Sequence, residues 1–193
     1  MAEKSIQKSD LSNIAIVGSG PTALFLLKYI WENIDVLQSK IKKITIFEKD
    51  EILGIGMPYN SKTTDLYNLA NISSEEIPML QESFADWLRK QSSELLEKLN
   101  VKEFPIEDSE VYSRISLGHY FQAQFESLIS NLKSKGIEIF EKTNCEVSDI
   151  SKEKNHLIIT DCHQDKNEFS AVIIANGHEW GEEDHPESGY FAS

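Results

Sequence analysis

Asn13-Ile14-Ala15-Ile16-Val17-Gly18-Ser19-Gly20-Pro21-Thr22-Ala23 decides the fold. Its first five residues are a short apolar run rich in β-branched side chains and closed by Gly-Ser-Gly, the pattern of a buried strand in a parallel sheet. From Pro21 the periodicity becomes helical, with Ala23, Leu24, Leu27, Ile30, Trp31 and Ile34 on one broad face. Proline suits the first helical turn, where its missing N–H is not needed. A second strand follows at residues 43–47, Lys-Ile-Thr-Ile-Phe, and ends in Glu48. Strand, helix, strand in this order is a right-handed βαβ unit.

Working outward, residues 49–82 are rich in breakers (Gly54, Gly56, Pro58, Pro78) and read as a long loop. The spacing of Phe84, Trp87, Leu88, Leu95 and Leu99 predicts one helix over 83–99, with Ser83 as N-cap. A second helix is expected over about 117–135, ended by Gly136. Its Phe121 and Phe125 read as core. A third strand is expected at 137–140. Residues 144–170 alternate apolar and polar positions between turn signals, the pattern of a small antiparallel meander. Residues 171–175 form a last apolar strand, stopped by Asn176-Gly177. The fold expected is α/β: a Rossmann-like parallel sheet flanked by helices, with a β-meander insertion. Residues 1–12 read as a polar leader, 13–178 as the domain, and 179–193 as an acidic tail that belongs to a continuation.

The chain has 193 residues, 40% of them hydrophobic and 26% charged, which suits one globular domain. With 19 basic and 32 acidic residues the net charge is −13, which repels nucleic-acid phosphates and anionic membrane surfaces alike. No apolar run reaches the ~20 residues needed to span a bilayer. Cys145 and Cys162 do not form a Cys-x-x-Cys motif and are expected to stay reduced in a cytoplasmic protein. His178, Glu179, Glu182, Asp184 and His185 lack helical His spacing, so they read as a solvated tail and no metal is expected.

The chemistry lies in Gly18-Ser19-Gly20-Pro21-Thr22-Ala23, a G-x-G-x-x-A fingerprint between a strand and a helix. Its first glycine permits the tight turn, the second lets a pyrophosphate approach the backbone, and Ala23 lets helix and strand pack closely. The N–H groups at the helix start attract phosphate oxygens. The hexapeptide alone is weak evidence. Glu48 strengthens it, because a carboxylate closing the second strand accepts hydrogen bonds from ribose hydroxyls and repels a 2′-phosphate. That favours FAD or NAD over NADP.

Further segments resemble the bacterial FAD/NAD(P)-binding flavoproteins of the two-dinucleotide type, related to the N-hydroxylating flavin monooxygenases. They are Ile46-Phe47-Glu48-Lys49, Gly54-Ile55-Gly56-Met57-Pro58-Tyr59, Leu69-Ala70-Asn71-Ile72 with Glu76-Ile77-Pro78, and Phe84-Ala85-Asp86-Trp87-Leu88. Arg114, Gly118 and Tyr120 follow, and Ala175-Asn176-Gly177-His178 resembles the family's Ala-Thr-Gly-His turn with asparagine in the threonine position. The resemblance implies an FAD-binding portion of a flavin-dependent oxidoreductase. It implies that Lys49 flanks the adenosine, that Val147 contacts adenine through its backbone, and that Asn71, Asn176 and Gly177 lie towards the flavin. NAD(P)H as electron donor, and the substrate region, would come from a further C-terminal region or a partner chain. No side chain stands out as a catalytic acid or base. Two other classes stay open: a non-catalytic dinucleotide-binding module, and an NAD-dependent dehydrogenase domain, for which Glu48 serves equally well.

Overall fold

The computed structural model describes residues 11–102 and 104–177. The tail residues 178–193, with His178, Glu179, Glu182, Asp184 and His185, and the first ten residues of the leader lie outside the described residues. The chain begins with β1 (Asn13–Val17), α1 (Pro21–Glu32), α2 (Ile34–Leu37) and β2 (Lys43–Phe47). After the long loop come α3 (Phe84–Arg89), α4 (Ser93–Lys98) and α5 (Arg114–Ser134). The C-terminal part carries β3 (Glu138–Lys142), β4 (Val147–Glu153), β5 (His156–Asp161), β6 (Lys166–Phe169) and β7 (Ala171–Ile174).

Two sheets form. One is parallel with order β3-β2-β1-β7, and the other is antiparallel with order β4-β5-β6. Alternation along β1 and β2 separates their two faces. Ile14, Ile16, Ile44 and Ile46 join α1 and α5 in the larger core through Leu24, Leu27, Phe125 and Leu128. Ala15 and Phe47 point the other way, into a smaller core with Cys145, Ile159 and Phe169 of the meander segment. The parallel sheet is therefore covered by helices on one face and by the meander on the other. Phe47 and Phe169 meet edge to face at 5.9 Å across that second layer.

The expected helix over 83–99 is two helices. Ser92 turns extended (φ −68°, ψ 151°) and its hydroxyl accepts the Leu95 N–H at 3.2 Å, so it caps a new helix and does not continue the old one. The helix expected from 117 starts at Arg114, because Ser113 is its cap and accepts the Ser116 N–H at 3.1 Å. α1 stops at Glu32, where Asn33 leaves helical geometry (φ −109°, ψ 23°) and a single further turn carries Ile34 into the core. The third strand runs to Lys142, two residues beyond the expected end, paired in register with β2. Phe121 and Phe125 are buried in the core as expected. Among the described residues no helix is long and apolar enough to cross a membrane.

Candidate dinucleotide site

The ends of β1, β2 and β7, together with the start of α1, open onto one cleft of about 780 Å³. Gly18 begins the turn out of β1 with φ +93°, and its N–H donates to the Phe47 carbonyl at 2.8 Å. A Cβ there would lie 2.4 Å from the Ala175 carbonyl oxygen, so only glycine lets the turn nestle against the exit of β7. The second glycine has a different neighbour from the one its motif suggests. A Cβ on Gly20 would meet the Cα of Gly56 at 3.3 Å. The loop after β2 thus crosses backbone to backbone over the start of α1, and Met57, Pro58, Tyr59 and Asn60 form that side of the cleft.

α1 receives no side-chain cap and has no acidic residue in its first turn. Its leading N–H groups have no acceptor within the helix, and together with the helix dipole they suit an anion. Gly20, Pro21 and Thr22 line the cleft, whereas Ala23 is fully buried behind them in the core.

Glu48 stands beside this helix end, bonded to Ser19. Its Oε2 accepts the Ser19 N–H at 2.9 Å and the Ser19 hydroxyl at 2.6 Å, and its Oε1 accepts the Asp50 N–H at 3.0 Å. A carboxylate offers about four lone-pair directions, so acceptor capacity remains beyond these three bonds. The Ser19 hydroxyl is turned inward, with its residue 1% exposed, and it accepts the Gly54 N–H at 3.2 Å. Its position ties the glycine turn, the β2 acid and the following loop together. Lys49 lines the cleft beside Glu48. Lys62 pairs with Asp50 at 2.7 Å, which links the 60–64 turn to the loop after β2.

The opposite wall is the entry to the meander, with Cys145, Glu146, Val147 and Ser148. Asn176 and Gly177 complete the floor after β7. Cys145 is buried and Cys162 exposed, both free thiols. Burial, reinforced by the Asp161 carboxylate, pushes the Cys145 thiol up to about 11. Burial would raise Asp161 too, but the Asp165 N–H, the Lys142 ammonium, the His163 N–H and the Cys145 thiol together hold it below the usual carboxylate range.

Gly18, Ser19, Gly20, Pro21, Thr22, Glu48, Lys49, Val147, Asn176 and Gly177 are thus brought to one cleft. Asn71 is not: it is exposed in a bend after Ala70, outside the lining. Sequence analysis gives no site role to Asp50, Gly56 or Met57, nor to Cys145, Glu146 and Ser148, which flank the expected Val147. Gly56 carried a signal, a glycine in a loop just after the acid, whereas those three flanking residues carried none.

A parallel sheet whose first strand feeds an uncapped helix at a cleft, with a carboxylate ending the next strand, defines the class of α/β dinucleotide-binding domains. The chain belongs to the family described as FAD-NAD(P)-binding, whose model matches residues 15–179. It is 32% identical over 184 residues to YdhS of Escherichia coli strain K12, covering 95% of this chain and 34% of that protein. The chain therefore spans about a third of that relative's length. Its fold is similar to the crystal structure of Tmm from Pelagibacter sp. strain HTCC7211, with TM-score 0.57, 19% identity, and coverage of 93% of this chain and 40% of that one. It is similar also to cyclohexanone-bound cyclohexanone monooxygenase, with TM-score 0.53, 12% identity, and coverage of 88% and 27%.

The residues present fit the ADP part of a dinucleotide. An anion-seeking helix end and a carboxylate with spare acceptor capacity flank one cleft, and its volume lies within the ~300–1,000 Å³ of small-molecule sites.

Proposed function

We propose that this cleft binds the ADP portion of FAD and that the chain is the FAD-binding part of a flavin-dependent oxidoreductase. The carrying observation is that the uncapped α1 N-terminus and Glu48, bonded to Ser19 just before that helix, line a single cleft. In this reading the pyrophosphate lies on the N–H groups after Gly20 and the ribose hydroxyls donate to Glu48. The adenine lies along the backbone at Val147, with Lys49 beside the adenosine, and Asn176 and Gly177 face towards the flavin. The bound flavin supplies the redox chemistry, and the protein's part is to hold and orient it. Asn71 would need residues beyond the cleft to join the site. We further propose that the nicotinamide and substrate regions come from a further segment or a partner chain, in keeping with the third of YdhS that this chain spans. Two free cysteines support a reducing, cytoplasmic setting.

Titration of the purified chain with FAD, ADP, FMN and NADP tests the reading. FAD and ADP should compete for one site, and ADP should displace bound FAD, whereas FMN, which lacks the adenosine, should not displace ADP. Glu48→Ala should weaken ADP about ten- to a hundred-fold, the value of a hydrogen bond to a charged acceptor. Unchanged ADP affinity in Glu48→Ala, or displacement of ADP by FMN, would overturn it.

A further inference from the structure

We propose that Asp161, which lies outside the cleft, is a positioning residue for Glu48. The inference rests on reading Glu48 as the ribose acid, and it concerns how that acid is held in place.

Asp161 ends β5 and is 1% exposed. A carboxylate buried to that degree needs partners for its charge. Its two oxygens serve two different segments. Oδ1 accepts the N–H groups of His163 and Asp165, at 3.0 and 3.1 Å, and so closes the β5–β6 turn. Oδ2 faces away from that turn, towards the Lys142 ammonium at 3.3 Å and the Cys145 thiol at 3.6 Å. A turn cap needs only the first oxygen.

The second oxygen leads to Glu48. The Lys142 carbonyl accepts the Glu48 N–H at 2.9 Å, and the Cys145 N–H donates to the Glu48 carbonyl at 2.9 Å. Both backbone groups of Glu48 are thus held by one short connection, residues 142–145. Asn144 extends the grip by donating its N–H to the Asp50 carbonyl at 3.0 Å. Asp161 gathers the two ends of that connection from behind through their side chains. Lys142 is further fixed by its ammonium, 5.1 Å from the Phe47 ring centroid. The path from Asp161 runs through Lys142 and Cys145 to the Glu48 backbone, and from the Glu48 carboxylate to Ser19 at the glycine turn. A rigid supporting group of this kind is what keeps a binding side chain within a fraction of an ångström of its working position. The same connection forms the cleft wall at Cys145, so one buried carboxylate fixes both the acid and the wall opposite the phosphate site.

The test uses the full chain with Asp161→Asn, Lys142→Met, Glu48→Ala and the two double variants that carry Glu48→Ala. Asp161→Asn keeps an acceptor for the turn and exchanges the other oxygen for an amide. Lys142→Met leaves the turn untouched, and it carries the test alone if Asp161→Asn does not fold. Two readouts are taken: amide hydrogen exchange of the ligand-free protein, and calorimetric titration with ADP. The expected result is faster exchange at Glu48 and Cys145 in Asp161→Asn and in Lys142→Met, with Ile14 and Ile44 unchanged. ADP should bind about ten-fold more weakly, the coupling typical within one hydrogen-bond network, and neither change should weaken it further once Glu48 is alanine. Unchanged Glu48 exchange, with acceleration confined to His163 and Asp165, would reduce Asp161 to a turn cap and overturn the proposal. So would an equal loss of ADP affinity with and without Glu48. If the wild-type chain binds no ADP while Glu48 exchange still responds to both variants, positioning stands and the nucleotide reading of the cleft fails.

Discussion

Ser19→Ala removes one oxygen from the centre of the site, and the structure sets what that oxygen is worth. The hydroxyl donates to Glu48 at 2.6 Å and accepts the buried Gly54 N–H at 3.2 Å. The two losses differ. Glu48 keeps the Ser19 backbone N–H on the same oxygen, so the charged acceptor is not orphaned and this loss sits near the low end, ~1.5 kcal/mol. Gly54 loses a buried acceptor, which costs a further ~1–3 kcal/mol. Together the variant should be destabilised by about 3 kcal/mol, which for a domain of this size lowers Tm by roughly 10 °C. Thermal and urea unfolding, monitored by circular dichroism, measure both quantities. ADP affinity should fall as well, though less than in Glu48→Ala, because the carboxylate is less firmly held but still present. A loss below ~0.5 kcal/mol, the range of ordinary surface substitutions, would refute the view that this hydroxyl joins turn, acid and loop.

Gly18→Ala should be more damaging than Gly20→Ala. A left-handed φ of +93° costs a non-glycine residue ~1–2 kcal/mol, and the new Cβ would also meet the Ala175 carbonyl, so a total above ~3 kcal/mol is expected. A urea midpoint equal to wild type would contradict this. The two thiols should separate cleanly: iodoacetamide at mildly alkaline pH should label exposed Cys162 in the folded chain and leave buried Cys145 unmodified until the chain is unfolded. Folded Cys145 keeps its proton up to about 11, whereas the unfolded thiol releases it near 9.0, so the unfolded state binds fewer protons between those values. Stability should therefore fall as pH rises through that window, and Cys145→Ala should flatten the slope. An unaltered slope in that variant would assign the alkaline loss to other groups.

The sequence by itself determined whatever depends on neighbours a few residues away. The strand ending at Val17, the glycine turn, the helix from Pro21 and the acid at 48 are local patterns of period, bulk and backbone freedom, and they stand where those patterns put them. The split between α3 and α4 was open to the same reading, because Ser92 is a capping residue, but the apolar spacing on either side concealed it. Only the tertiary structure decided which distant segments meet. Gly20 lies against Gly56, Asn71 stays off the cleft, and the 145–148 segment closes the cleft's far wall. The Ser19 hydroxyl turns towards an acid 29 residues away, and Asp161 reaches back 19 residues to Lys142. Such contacts leave no periodic trace in the chain. They arise because the parallel sheet, with helices on one face and the meander on the other, brings the ends of separate strands to one edge, and buried polar groups there must find partners.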